Sequence, residues 1–188
     1  MIRALTVLAA ALWGYAEATT FFIVPDVLIG WAAVRSLRLG IASAFAATAG
    51  AVAGGAVVHR NARRFRAAST DIPGVSEGMI ADASARFERD RWAAVVRAPV
   101  DGIPYKVYAA EAGIRGRPLR ELALLTPFAR AWRFLAIAVA AAAVGAVLQP
   151  VRRRIGLSLL VYLGVWAATY VSYFRTLDRR YGRVASER

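Results

Sequence analysis

The sequence predicts an all-α, polytopic integral membrane protein with two re-entrant broken-helix segments and three to four transmembrane helices, in a single membrane domain covering residues 1–188. Three observations carry that expectation. The chain is 59% apolar, where soluble domains run near about 45–50%. Uncharged runs long enough to cross about 30 Å of hydrocarbon recur along it. Two shorter apolar segments, 14–30 and 100–113, are broken by glycine or proline and carry ionic side chains. Paired segments of this kind point to a binding site near the membrane midplane.

The net charge of +13 belongs to arginines that flank apolar blocks. That pattern fits membrane flanks facing anionic lipid and excludes a nucleic-acid stripe. Without cysteine there is neither a disulfide framework nor a thiolate metal site. A single histidine, His59, gives no His-rich metal centre, and no cofactor is expected.

Residues 3–16 read as a helix entering the membrane. The run Leu5 to Trp13 with Ala16-Glu17-Ala18 also has the shape of a secretory leader and its cleavage site. Apolar character resumes at once with Phe21-Phe22-Ile23-Val24, so the segment is read as retained. Pro25 biases Val24 away from helix and predicts a bend there. Leu39–Val58 is a spanning helix rich in small residues, with Gly50 and Gly54 in GxxxG spacing. Such a face packs closely against another segment of the chain or a second copy in a homo-oligomer.

His59 to Arg66 holds five basic groups and is expected on the cytoplasmic side. Pro73-Gly74 marks a turn. Residues 76–97 have the pattern of an amphipathic cytoplasmic or interfacial helix. Arg115, Arg117 and Arg120 mark a return to water, and Pro118 suits a first helical turn. Glu121–Leu148 reads as one long helix with Pro127 as a kink. Ile155–Phe174 is the last span, carrying Tyr162, Trp166, Tyr170 and Tyr173, and 175–188 is a basic tail. Clusters 59–66, 115–120 and 175–183 are placed inside, which leaves Arg152 to Arg154 outside.

No nucleophile–base set and no phosphate loop appears, so no catalytic residue is assigned and an enzyme is not expected. What remains is charge at membrane depth, where ionic groups are costly and mark pathways or proton relays. The candidate substrate-binding or proton-relay residues are Glu17, Asp26, Asp101, Lys106, Glu111, Arg130 and Arg133. Lys106 is the only lysine of the chain. Arg130 and Arg133, three apart, share a helix face. The acids Glu17, Asp26 and Glu111 can offset the three cations, either to hold an anionic head group and exchange protons or simply to lock the broken segments together. Asp101 and Glu111 are also compatible with an interfacial position.

Glu17 followed by FFIVPD, the Gly/Ala-rich span, GIPYKVYAAEAG, and FARAWRF after Pro127 resemble the DedA superfamily, also described as SNARE-associated or VTT-domain proteins, and within it the YqaA-like branch. The likeness covers about residues 12–150. It implies two re-entrant hairpins meeting near the membrane centre, and translocation of lipids across a bacterial-type inner membrane with protons as a coupling ion. By that resemblance Glu17 matches the family's acidic residue of the first hairpin and Asp26 its proline-plus-acidic part. Lys106 stands where many members carry arginine, and Arg133 precedes the phenylalanine of the following helix. The first hairpin lacks the longer Pro-Gly-Asp form, and Asp101 lies near a position that is often basic. The competing expectation is a membrane scaffold whose charges are structural.

Overall fold

The computed structural model describes residues 1–147 and 155–182, and among them it is all helix and connecting loop, with no strand. The elements are α1 (Ile2–Thr19), α2 (Asp26–Arg35), α3 (Leu37–Arg60), α4 (Ala62–Ala68), a 3-10 turn (Ser69–Asp71), α5 (Glu77–Asp90), α6 (Trp92–Asp101), α7 (Tyr105–Ile114), α8 (Leu119–Val147) and α9 (Ile155–Tyr181). Three of them, α3, α8 and α9 from Gly156, are long and apolar enough to cross a membrane. At 24 residues α3 is the shortest of the three, and about 1.5 Å of rise per residue still carries it past the hydrocarbon thickness.

Apolar side chains lie on the outside as well as in the core, and several ionic ones lie inside. Leu5, Leu8 and Leu12 of α1 and Leu124, Phe128 and Val139 of α8 are exposed, whereas Glu17, Asp26, Lys106, Glu111 and Arg130 are buried. In water that arrangement would expose apolar surface and bury charge at once, both unfavourable. In lipid the outward leucines need no cover and the charges must turn inward. The chain is therefore a polytopic membrane protein.

The α1–α3 pair packs backbone against backbone. A Cβ added at Gly14 would strike the Ala47 backbone, and one at Gly50 would strike the Ala11 carbonyl. Only glycine lets the two backbones approach this closely, which is the packing its spacing predicted. The contact is within the chain, and it sets Glu17 one turn beyond Gly14 on the inner face of α1. Phe134 and Ala138 of α8 pack with Ile29, Ala33, Ala44 and Ala47 into one apolar cluster; a second gathers Met79, Ile80, Phe87, Val95, Tyr108 and Leu122.

Both broken segments are present, with different arms from those expected. The first break is residues 20–25, joining α1 to α2, so the segment 14–30 consists of the ends of two longer helices. Pro25 starts α2 with φ −66°, as the proline dictates. The second break is Gly102-Ile103-Pro104, with Gly102 left-handed at φ 75°. Its first arm is α6, so the amphipathic helix placed at 76–97 is in fact two helices. They part at Arg91, a non-glycine residue with φ 51°. Ser76 caps α5 by accepting from the Met79 N–H at 3.3 Å. Helix α8 runs unbroken through Pro127. The last span continues past Phe174 to Tyr181, so the first residues of the expected basic tail are helical. Arg152 to Arg154 and residues 183–188 of that tail lie outside the described residues.

Candidate functional site: a charged cavity between the two breaks

A cavity of about 390 Å³ lies where the breaks face each other. Five of the seven residues singled out in the sequence line it: Glu17 from α1, Asp26 at the start of α2, Lys106 in the first turn of α7, and Arg130 and Arg133 one turn apart on α8. Glu17, Asp26, Lys106 and Arg130 are each at most 4% exposed.

The charges pair crosswise. Arg130 closes on Glu17 as a two-pronged buried ion pair, its Nη1 lying 3.5 Å from Oε1 and its Nη2 nearer still to Oε2. The Arg130 guanidinium also lies over Phe134, 4.9 Å from the ring centroid. Arg133 Nη2 stands 2.9 Å from Asp26 Oδ2, without the alignment of a hydrogen bond. Lys106 donates to the Phe21 carbonyl at 2.6 Å. That carbonyl belongs to the first break, where the chain has left the helix and its main-chain groups need partners. Trp13 Nε1 donates to Ile23 O at 2.9 Å, and the Val24 N–H donates to Tyr170 Oη at 2.7 Å. Side chains from α1, α7 and α9 thus replace the missing helical bonds.

Three cations against two carboxylates leave one positive charge in excess in the cavity. Among the described residues, Arg130 Nε, Arg133 Nε and Nη2, and Asp26 Oδ1 are buried without a hydrogen-bond partner. Such groups are costly when left alone. The three guanidinium N–H groups can only donate, and Asp26 Oδ1 can only accept. The outer wall is aromatic and comes from α9, through Trp166, Tyr170, Tyr173 and Phe174, with Phe22 of the first break beside them.

Asp101 and Glu111 do not line the cavity. Glu111 pairs with Arg66 at 2.6 Å and with Arg115 at 3.4 Å, joining α7 to α4 at the far end. The reason is helical phase: Glu111 lies five residues after Lys106, more than a full turn onward and on another side. Asp101 accepts from Tyr108 Oη at 3.2 Å and lies 3.5 Å from Arg86. From the sequence alone the α9 aromatics belong to the last span and not to the site. Their spacing at 162, 166, 170 and 173 places them on one helix face, which was the available signal.

No family model matches this sequence, and neither a curated protein nor a solved structure is similar to it.

Proposed function

We propose that this protein is a membrane transporter or lipid translocase that moves an anionic lipid or other amphipathic anion, with protons as a coupling ion, across a bacterial-type inner membrane. The observation that carries the reading is the buried cavity with three cations, two acids and unpartnered guanidinium donors. A phosphate or carboxylate head group accepts from several guanidinium and ammonium donors at once. Lining aromatics suit the apolar part of an amphipathic molecule. Glu17 and Asp26 face the same space, so proton exchange and anion binding act on one set of charges. The DedA resemblance of the two broken segments supports the same reading.

A second reading, a scaffold whose charges only hold the fold, is favoured by the two crosswise ion pairs. Flux of a fluorescent phosphatidylglycerol in proteoliposomes separates the two. Wild type moves the lipid, and Lys106→Ala and Glu17→Gln, folded and monodisperse, lose that flux. Wild-type flux no faster than that of protein-free liposomes, with both variants folded, would establish the scaffold.

A further inference from the structure

We propose that the C-terminal half of α9 is a side door to the cavity, opening toward the bilayer and latched at its basic end onto α5 and α6. The proposal rests on reading the cavity as a site for a lipid-borne anion.

The inner face of the cavity comes from helices packed against one another, and its outer face from α9. None of the apolar window of α9 is buried, against 44% of that of α3. The hold of α9 on the body includes ring edges and phenol hydrogen bonds, where the α1–α3 seam has backbone against backbone. Tyr173 Oη donates to the Gly102 carbonyl at 3.2 Å, at the second break itself. Phe174 covers Gly74 in the loop beneath.

At the basic end the contacts form a polar clasp across the seam. Tyr181 Oη donates to Asp82 Oδ2 at 3.0 Å, and Arg180 donates to the Asp101 carbonyl at 3.2 Å. Arg86 ties the two acids together, at 2.8 Å from Asp82 and 3.5 Å from Asp101. Partly exposed polar bonds of this type exchange readily with water and are individually weak. Leu177 and Tyr181 also pack on the apolar cluster at this edge, so the seam between α9 and the α5–α6 edge parts at the loss of a few polar bonds and two partly buried side chains. Opened there, the cavity admits a head group whose acyl chains stay in lipid.

The chain has no cysteine, which makes the door lockable. A Cβ built at Gly78 lies 3.8 Å from the Tyr181 Cβ, within the about 3.5–4.5 Å that a disulfide spans. The full-length Gly78→Cys/Tyr181→Cys variant is compared oxidised and reduced. Hydrogen exchange is followed across Ile72–Val75, where the Val75 N–H bonds the Ile72 carbonyl beneath Phe174. Oxidation slows that exchange at least about tenfold. Asp82→Asn, which loosens the clasp without any cross-link, speeds it. Exchange that is unchanged by oxidation, or by Asp82→Asn, overturns the door. Flux of phosphatidylglycerol in proteoliposomes is measured on the same samples. Slowed exchange with flux lost on oxidation supports door and transport together. Slowed exchange where wild type has no flux supports the door and removes the transport reading. Flux that persists in the oxidised form overturns the door as the route.

Discussion

Glu17 and Arg130 lie 113 residues apart in the chain and form a buried ion pair between α1 and α8. The pair joins the glycine-packed α1–α3 unit to the helix that also carries Arg133, so the cavity is built around a fixed crosspiece. Breaking such a pair by removing one partner leaves an uncompensated buried charge, at a loss of about 3–5 kcal/mol. Arg130→Gln and Glu17→Gln each lower thermal stability in detergent by that order. The double variant loses less than the sum of the two, and the coupling is read from a double-mutant cycle.

Lys106 behaves differently because its partner is a main-chain oxygen and no carboxylate closes on it. Lys106→Met loses one charge-assisted hydrogen bond, about 1.5–3 kcal/mol, and also relieves the burial of an ammonium, which costs several kcal/mol. The two nearly cancel. The variant keeps its melting temperature within a few degrees, while its affinity for a short-chain anionic phospholipid falls at least about tenfold. Calorimetry and a binding titration on one preparation check both halves.

The glycine seam gives a stability test independent of function. Gly50→Ala drives a methyl into the Ala11 carbonyl, and neither backbone can yield alone. Overpacking of this kind costs about 1–3 kcal/mol. Gly164→Ala in α9 meets nothing within 4 Å and is neutral or stabilising by about 0.4–1 kcal/mol. Thermal unfolding of the two variants ranks them in that order.

The clasp at the basic end of α9 titrates. Hydrogen bonds from Arg86 hold the Asp82 carboxyl below the usual aspartate range, with Tyr181 adding to the effect. A carboxylate with a lowered folded pKa stabilises fully above its ordinary value, and the contribution is lost as pH falls through the folded one. Wild type therefore loses stability on acidification below the ordinary aspartate range. Asp82→Asn lacks that part of the loss, which melting curves over a descending pH series display. Added salt weakens the same contacts at neutral pH.

Much of this arrangement was legible in the sequence because it follows from one-dimensional signals. Charge-free runs give α3 and α9, Pro25 and Gly102-Pro104 give the breaks, and the spacing of Arg130 and Arg133 puts both on the cavity side of α8. The separation of α5 from α6 was not legible, since it occurs at Arg91, where neither glycine nor proline announces a turn. Glu111 shows a second limit. Its acidity made it resemble Glu17, and only the three-dimensional approach of Arg66 and Arg115 assigns it elsewhere. The role of Tyr170 depends on meeting Val24 across 146 positions, which no local pattern encodes.

The bond from Lys106 to the Phe21 carbonyl has a consequence for how the protein tolerates sequence drift. The acceptor is main chain, so exchanging the phenylalanine for another residue leaves the anchor in place as long as the bend survives. Position 21 is then constrained by its ring contacts with Trp13 and Phe22 and not by the anchor, whereas changes that reshape the backbone between Thr20 and Pro25 would cast the ammonium loose.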